Sequence, residues 1–309
     1  MNTVTDQTDH GHGLLFGTFV TPTNHPVHQA VEQAVVADRA GLDLVTFQDH
    51  PYVAKFHDTS TLLAYAAART EQIHLSANVT NLPLRPPAVL ARATATLDQL
   101  SGGRAELGIG AGAFWDGVAG MGGARRTPGE SIEALEEAIA IIRGIWDTTD
   151  STLLSLRGKH YDIHGAKRGP APAHPVGIWV GAYKPRILRL VGRAADGWLP
   201  SMQYLQNGLP DLAEMNRHID EAARTAGREP SDIRRFLNIT GQFATQGRGF
   251  LQGPPRQWAE ELTAVALTYG TSGFILASDD TTLTQTFAAE VAPAVKELVA
   301  GTRGTSGHE

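Results

Sequence analysis

Two side chains that can exchange protons follow one of the apolar runs of this sequence. Residues 42–48 read as a buried strand, and Asp49 and His50 come directly after it. A carboxylate beside an imidazole can act as an acid–base pair, because the imidazole titrates near neutral pH. The alternative is that Asp49 only caps the turn before Pro51 and that His50 is a bystander. We take Asp49 and His50 as the candidate catalytic pair.

Polar and small residues also follow the next two apolar runs. After 73–79, the side chains of Asn78, Thr80 and Asn81 could hydrogen-bond a flat polar ring, although turn chemistry explains them nearly as well. The run 104–110 continues into Gly110, Ala111 and Gly112, where a cofactor could approach the backbone closely.

The same glycines also match the dinucleotide-binding fingerprint G-x-G-x-x-A. We reject that interpretation because the fingerprint requires a helix to open at once. Here a glycine-containing loop over 116–126 precedes a helix that is capped only at Thr127.

A candidate anion site follows the run 176–181. The chain continues through Gly181, Ala182, Tyr183 and Lys184, and a helix is predicted to begin near Pro185. Backbone N–H groups at a helix start, with Lys184 and Arg186 nearby, suit a phosphate. The alternative is that each basic side chain is only solvated on the helix.

We expect no metal centre from the sequence. His10 and His12 form the H-x-H pattern of barrel hydrolases, but they precede the first strand and read as tail residues. His160 and His164 fall in a predicted hairpin before the fifth strand, and His57 reads as a loop residue. Cysteine is absent, which excludes disulfides and thiolate ligands.

The elements that must position these residues alternate along the chain. A proline at the start and a glycine at the end predict a helix from Pro26 to Gly41, and another is predicted to start near Pro86-Pro87 and to end before Ser101-Gly102-Gly103. A capping box at Thr127 starts a third. Eight apolar runs resemble buried strands: 14–20, 42–48, 73–79, 104–110, 176–181, 195–200, 235–243 and 273–278.

Strand and helix alternating eight times predict an α/β fold, a (β/α)₈ TIM barrel with insertion segments. In such a barrel the chemistry lies at the carboxyl ends of the strands. An open doubly wound sheet is the alternative, because periodicity alone does not exclude it. We expect one barrel domain over 14–300, a flexible lead over 1–13 and a flexible tail over 301–309.

Composition narrows the class of protein. The chain has 309 residues, 42% of them apolar, and a net charge of −6. That balance excludes a mainly disordered chain and argues against a nucleic-acid binder, which would need a basic face. The sequence shows neither a membrane-spanning run nor a secretory signal at its start. We therefore expect a cytoplasmic enzyme.

Several of these motifs, taken together, resemble the luciferase-like monooxygenase superfamily, and in particular its bacterial oxidoreductases that use FMN or the deazaflavin coenzyme F420. The resemblance covers nearly everything from Gly13 to Leu298. It is most specific over 81–112, which includes LDQLSGGRAELGIGAG, and over the two blocks GIWVGA (177–182) and GRAADGWLP (192–200).

The resemblance implies a barrel with an insertion before strand five or near strands seven and eight. It implies that the cofactor ring lies over the barrel mouth, supported by a bulge at Ala77, Asn78 and Val79 that often holds a non-prolyl cis peptide. Asp49 and His50 would lie near the ring. The remaining implied cofactor contacts lie in two loops: Gly110, Ala111 and Gly112 in the first, and Gly181, Ala182, Tyr183 and Lys184 in the second.

The leading hypothesis is hydride transfer between reduced F420 and a small organic substrate. His50 would move the balancing proton, Asp49 would orient the ring or tune the imidazole, and Phe114, Trp115 and Trp198 would form an apolar wall. Each of these three could instead be core. Some deazaflavin dehydrogenases carry a glutamate after the fourth strand, but Ala111–Ala113 lacks one, which argues against a sugar-phosphate or alcohol dehydrogenase.

Three alternatives stay open. A two-component FMN monooxygenase would need reduced flavin from a separate reductase, and its product would depend on oxygen. A flavin-binding protein without turnover would bind tightly and show no activity. A metal-dependent hydrolase is the most remote. Arg85 could meet an anionic group or brace the loop before Pro86. A homodimer is expected from the resemblance and from base rates.

Overall fold

A computed structural model describes residues 9–305 and shows a parallel barrel surrounded by helices. The barrel strands, which make one nine-stranded sheet, are β1 (Leu15–Val20), β2 (Leu44–Phe47), β3 (His74–Ala77), β4 (Thr80–Asn81), β5 (Leu107–Gly110), β8 (Ile178–Val180), β9 (Gly197–Trp198), β10 (Arg234–Ile239) and β13 (Gly273–Ala277). Their order is β3-β2-β1-β13-β10-β9-β8-β5-β4. Segments β3 and β4 form one barrel strand that is interrupted at residues 78–79.

The sheet closes on itself. Segment β4 pairs with β5 in parallel, and a parallel bridge joins Leu75 to Ala105. All pairs within the sheet are parallel, from β1 with β13 to β8 with β9. The open doubly wound sheet is therefore excluded, and the (β/α)₈ barrel predicted from the sequence is confirmed.

Helices follow each barrel strand and cover the sheet. They are α1 (Gln29–Arg39), α2 (Thr59–Ala67), α3 (Pro87–Ser101), α4 (Trp115–Gly120), α5 (Pro128–Trp146), α6 (Pro185–Ala194), α7 (Asp211–Thr225), α8 (Pro255–Tyr269), α9 (Thr281–Thr286) and α10 (Ala292–Thr305). The local signals explain their bounds. Thr127 caps α5 in a complete capping box with Glu130, and Gly102 ends α3 in the left-handed conformation.

The barrel interior is filled by apolar side chains. Trp179 and Phe236 lie with ring centroids 4.4 Å apart, and both pack with Leu44, Leu199 and Ile275. A larger apolar cluster lies between the sheet and the helices. The interior is therefore a packed core, and a ligand must use the ends of the barrel.

Two excursions leave the barrel. An antiparallel hairpin, β6 (Leu154–Arg157) with β7 (Asp162–Ala166), lies between α5 and β8, as predicted, with His160 in its turn and His164 in β7. The second follows β10, where β11 (Gln242–Phe243) pairs with β12 (Gln252–Gly253).

Three expectations need correction. Helix α1 begins at Gln29, three residues later than predicted, because residues 27–28 form a turn. The predicted loop over 116–126 contains α4, which begins at Trp115. Residues 301–305, expected in a tail, continue α10, and Arg303 pairs with Asp9 at 2.7 Å.

The contact between Asp9 and Arg303 also ties down part of the expected N-terminal lead. His12 is held as well, since its ring lies 2.7 Å from the Ser231 carbonyl oxygen. The remainder of the expected lead and tail, residues 1–8 and 306–309, lies outside the described residues. Within 9–305, no helix is both long and apolar enough to cross a membrane.

Candidate active site at the barrel mouth

Side-chain amides from opposite sides of the barrel meet below its mouth. The Asn78 amide nitrogen donates to Asn238 Oδ1 at 2.7 Å and to Thr46 Oγ1 at 3.3 Å. Asn238 in turn donates to Ser201 Oγ at 3.0 Å. We call these four residues the amide floor. Asn78 and Asn238 are each at least nine-tenths buried, so the floor is a fixed polar surface above an apolar core.

A bulge interrupts the barrel strand that carries Asn78, next to the amide floor. Asn78 and Val79 separate β3 from β4, and the peptide bond between them is cis, as the resemblance implies. Gly110 makes room for the bulge, because a Cβ there would lie 2.6 Å from a Val79 methyl carbon. A Cβ on Gly181 would meet Val79 at 3.5 Å, an ordinary contact. Val79 thus sits between two glycine-lined strand ends, while Ala77 is buried below it.

His50 lies in an aromatic cage on the rim of the mouth. Its ring stacks on Tyr52, with centroids 5.4 Å apart, and on Phe56 at 6.5 Å, while the Phe114 edge approaches at 5.5 Å. Burial lowers the pKa of His50 below its ordinary value, and the Asp49 charge opposes this shift only in part. The lowered pKa favours the uncharged imidazole, which is the form that accepts a proton.

The Asp49 carboxylate is fully engaged below this cage. Both oxygens accept from Arg85, at 2.8 and 2.9 Å, and one also accepts from the Asn81 backbone N–H. Arg85 additionally donates to Asp58 at 2.7 Å. Burial alone would raise the pKa of Asp58, but hydrogen bonds from Arg85 and Thr61 hold it below its usual range. Arg85 therefore joins its own loop, before Pro86, to the loop between β2 and α2, and bracing the loop before Pro86 was one of its two expected roles.

The predicted anion loop lies on the other side of the mouth. Ser201 N–H donates to the Tyr183 hydroxyl at 2.8 Å, and burial raises the pKa of that hydroxyl. Lys184 is the exposed residue before α6, so its side chain is free to reach an anion there. Arg186 instead turns away to pair with Glu133 at 2.9 Å. Arg186 is therefore engaged elsewhere, and Lys184 remains the candidate of the two for the expected phosphate site.

The three predicted wall residues separate into two groups. Trp198 is 1% exposed, and its indole donates to the Ala182 carbonyl at 2.9 Å, so it packs in the core and supports the anion loop. It does not line the mouth as expected. Phe114 is 66% exposed in a left-handed conformation, and Trp115 begins α4 beside it. These two remain candidates for the wall.

Glycines allow helix α4 to pack closely against the aromatic cage around His50. A Cβ on Gly117 would lie 2.6 Å from the Tyr52 ring, which shows how closely α4 approaches. Gly112 has φ +101° and leaves no space for a side chain beside Pro83. Ala111 packs against the core between these features. The loop 110–112 therefore places α4 over His50, whether or not it also contacts a cofactor.

Residues from six strand ends come together at the mouth. Sequence reasoning placed His50, Asn78 and the two glycine loops there, but it missed Asn238, Ser201 and Thr46. The available signal was a polar amide inside the apolar run 235–243. A cavity of about 240 Å³ also opens between the ends of β1, β2 and β13, lined by Phe19, Thr21, Gln48, Ala277, Ser278 and Asp279.

Comparison of the sequence with known proteins identifies relatives. The family model described as luciferase-like monooxygenase matches residues 9–245. An F420-dependent glucose-6-phosphate dehydrogenase of Kineococcus radiotolerans is 32% identical over 245 residues, which cover 76% of this chain and 69% of the relative. A phthiodiolone/phenolphthiodiolone dimycocerosates ketoreductase of a Mycobacterium species is 36% identical over 59% of this chain and 47% of its own.

Solved structures share the fold. An F420-dependent secondary alcohol dehydrogenase, in complex with an F420–acetone adduct, matches with TM-score 0.75 and 20% identity over 92% of this chain and 99% of its own. The FMN-bound oxygenating constituent of 3,6-diketocamphane monooxygenase of Pseudomonas putida matches with TM-score 0.74 and 21% identity over 91% and 98%. The chain belongs to the luciferase-like monooxygenase family and is an oxidoreductase of that superfamily.

Proposed function

We propose that this protein transfers a hydride between reduced F420 and a small organic substrate, and that His50 moves the balancing proton. The F420-dependent relatives at 32% identity and the FMN-bound structural neighbour support F420 or FMN as the cofactor. The observation that carries the proposal is the caged His50 ring at the same end of the barrel as the amide floor. It combines a proton-exchanging group with a fixed polar surface for a flat ring.

The residues at the mouth fit such a cofactor. The amide floor offers donors and acceptors to a planar ring with polar edges, and Val79 offers an apolar surface beside it. The first turn of α6 has N–H groups without helical partners, and with Lys184 next to it this suits a phosphorylated tail. Bound there, the deazaflavin would supply the hydride chemistry.

His50 completes the reaction on the substrate side. Reducing a polarised double bond adds a hydride to one atom and a proton to the other. The His50 ring would donate that proton from nitrogen and regain one from solvent, and in the reverse direction it would accept one. Among residues 9–305 no hydrogen bond reaches either ring nitrogen, so both are open to substrate or water.

The cage and α4 surround part of the imidazole with apolar surface. Tyr52 and Phe56 cover faces of the imidazole, and Phe114 covers an edge. Trp115 extends the apolar surface along α4. A drier site strengthens the electrostatic interactions of the reacting groups. Asp49 acts indirectly, because its carboxylate holds Arg85 and the loop that carries the cage.

The substrate class we propose is activated double bonds, imines and related electrophiles. The stretch Ala111–Ala113 carries no carboxylate, so the glutamate of some deazaflavin dehydrogenases is missing. Sugar phosphates and simple alcohols are therefore poor candidates, although relatives bear such names. The test follows F420 absorbance without oxygen in two directions: oxidation of reduced F420 by an activated enone or an imine, which we expect, and reduction of oxidised F420 by glucose 6-phosphate, which would contradict the proposed substrate class.

A two-component FMN monooxygenase is the second candidate. It is favoured by the FMN-bound neighbour and by the apolar rings around His50. It predicts product only with oxygen and reduced FMN, and it would need a separate reductase as partner. Binding of either cofactor without turnover on any substrate would leave the remote third alternative, a flavin-binding protein.

We further propose a homodimer. A groove of about 500 Å³ lies between α2 and α3, and exposed Val89 and Leu100 border it. These apolar side chains would be covered by a second copy. The test is the mass of the protein in solution, and Leu100→Asp should shift it toward the monomer. A cytoplasmic location remains an expectation from the sequence.

A further inference from the structure

Three potential metal ligands meet at the end of the barrel opposite His50. His74 is the first residue of β3, Glu106 immediately precedes β5, and His174 lies shortly before β8. These strands are neighbours in the closed barrel, so their amino ends bring the three side chains together. We call them the lower cluster. The sequence analysis missed it because the ligands come from three separate segments.

The donor atoms of the lower cluster have metal-like spacing. His174 Nε2 lies 3.3 Å and His74 Nδ1 lies 3.5 Å from Glu106 Oε1. All three donor atoms lie within 4.8 Å of one another. In a tetrahedral zinc site with bonds of about 2.0–2.1 Å, ligand atoms are about 3.4 Å apart. The two separations to Glu106 Oε1 match this value. The third, between the nitrogens of the two histidines, is at most 4.8 Å, and the His74 ring is exposed enough to move and shorten it.

A second layer of hydrogen bonds orients these ligands. His174 Nδ1 lies 2.7 Å from Asp98 Oδ1, and Asp98 is completely buried. Donation from Nδ1 to this carboxylate leaves the Nε2 lone pair directed toward Glu106. Glu106 itself accepts from the Gly177 N–H through Oε2 at 2.7 Å, which leaves Oε1 for a ligand. Carboxylate–histidine pairs of this kind commonly support metal sites.

The surroundings favour a cation with an open coordination position. A cavity of about 330 Å³ adjoins His74 and Glu106, and Asp38 and Asp43 also line it. Arg234 lies close enough to interact with Glu106 and Asp43, and it opposes part of this negative charge. Solvent in the cavity could supply a fourth ligand.

We propose that the lower cluster binds one divalent transition-metal ion, with Zn²⁺ the best match. Two imidazole nitrogens and a carboxylate oxygen are a common zinc donor set. Bound there, the ion would tie together the starts of β3, β5 and β8. Its position at the far end of the barrel separates it from the proton chemistry of His50. The proposal is independent of the cofactor and the substrate.

The test is zinc binding by protein first treated with a chelator and then freed of it. We expect one equivalent of Zn²⁺ to bind in competition with a chromophoric chelator and to raise Tm. His74→Ala should weaken binding at least about 100-fold, because it removes a direct ligand. Co²⁺ should give the strong visible bands of a low-coordinate site, and these should also be lost in His74→Ala.

Two further variants distinguish the loss of a zinc ligand from a general effect of substitution. Glu106→Gln retains an oxygen for the Gly177 N–H while removing the charged ligand, so it should fold and bind zinc weakly. His164→Ala is the matched control, since His164 is an exposed histidine in β7, and it should bind zinc like the wild type. Absence of a one-equivalent site, or equal affinity in His74→Ala and wild type, would overturn the proposal. The cluster would then be a hydrogen-bonded network in which His174 bridges Asp98 and Glu106.

Discussion

At the scale of single residues, the structure separates the roles of two neighbours that the sequence had paired. Asp49 is buried, and Arg85 and the Asn81 N–H occupy its oxygens. His50 has open ring nitrogens and contacts mainly aromatic side chains. The proton transfer we propose therefore rests on His50, and Asp49 is a positioning residue.

Replacing His50 tests this assignment. His50→Ala and His50→Gln should reduce turnover about 10²- to 10⁴-fold, the usual contribution of a positioned acid or base. Cofactor affinity should stay close to that of the wild type, because the floor and the anion loop are untouched. Single-turnover kinetics and a binding titration measure the two effects. Equal losses in both would contradict the proton-transfer role, and His164→Ala serves as control.

The pH profile follows from the lowered pKa of His50. In the direction of substrate reduction His50 must be protonated, so kcat/KM should fall as pH rises through a pKa below 6.5, the ordinary value. In the oxidative direction His50 must be neutral, so the same pKa should appear as a rising limb. Rates measured from pH 5 to 8 in both directions check this. A profile that His50→Gln leaves unchanged would assign the titration to another group.

At the scale of elements, the loop between β2 and α2 depends on one ion pair. Arg85 is 19% exposed and Asp49 1% by side chain, so this pair is far better shielded from water than a surface pair. Arg85→Met should lower the free energy of unfolding by about 3 kcal/mol, because it leaves the Asp49 carboxylate buried without its partner.

Urea unfolding measures this change. Arg256→Met is the matched control, because Arg256 forms an exposed pair with Glu260 and its loss should cost less than about 0.5 kcal/mol. The double variant Asp49→Asn with Arg85→Met should recover part of the loss, since no buried charge remains. Similar stability of Arg85→Met and wild type would show that the loop does not need the pair.

The sequence predicted the elements better than their contacts. The capping box at Thr127 and the glycine after α3 are local signals, and both are confirmed. Helix α4 was missed because Phe114, the residue before it, has a left-handed backbone conformation that residue preferences do not predict. Asn238 and the lower cluster were missed for another reason. Their partners are distant in sequence, and only closure of the barrel brings them together.

At the scale of the whole molecule, the first and last segments of the described residues are joined to each other. Arg303 of α10 pairs with Asp9, and His10 lies near Arg235 and Asp220. Burial and then the Arg235 charge lower the pKa of His10 to about 4. In the unfolded chain the same group titrates near 6.5, so it takes up a proton on unfolding between these values.

The stability of the protein should therefore fall as pH drops from about 6.5 to about 4. Above 6.5 His10 is neutral in both states, and its contribution is fully present. His10→Gln should make this decline shallower, while His28→Gln, at an exposed histidine, should not. Denaturant unfolding at pH 7 and pH 5 compares the three proteins. An equally steep decline in His10→Gln would assign the acid sensitivity elsewhere.

The central claim is that the mouth of this barrel binds a deazaflavin for hydride transfer. The most direct measurement is a parallel titration of the purified protein with oxidised F420 and with FMN, followed by ligand fluorescence. The account predicts micromolar or tighter binding of F420, weaker binding of FMN, and loss of F420 affinity in Asn238→Ala. Preference for FMN, above all in reduced form, would contradict it and favour a two-component monooxygenase.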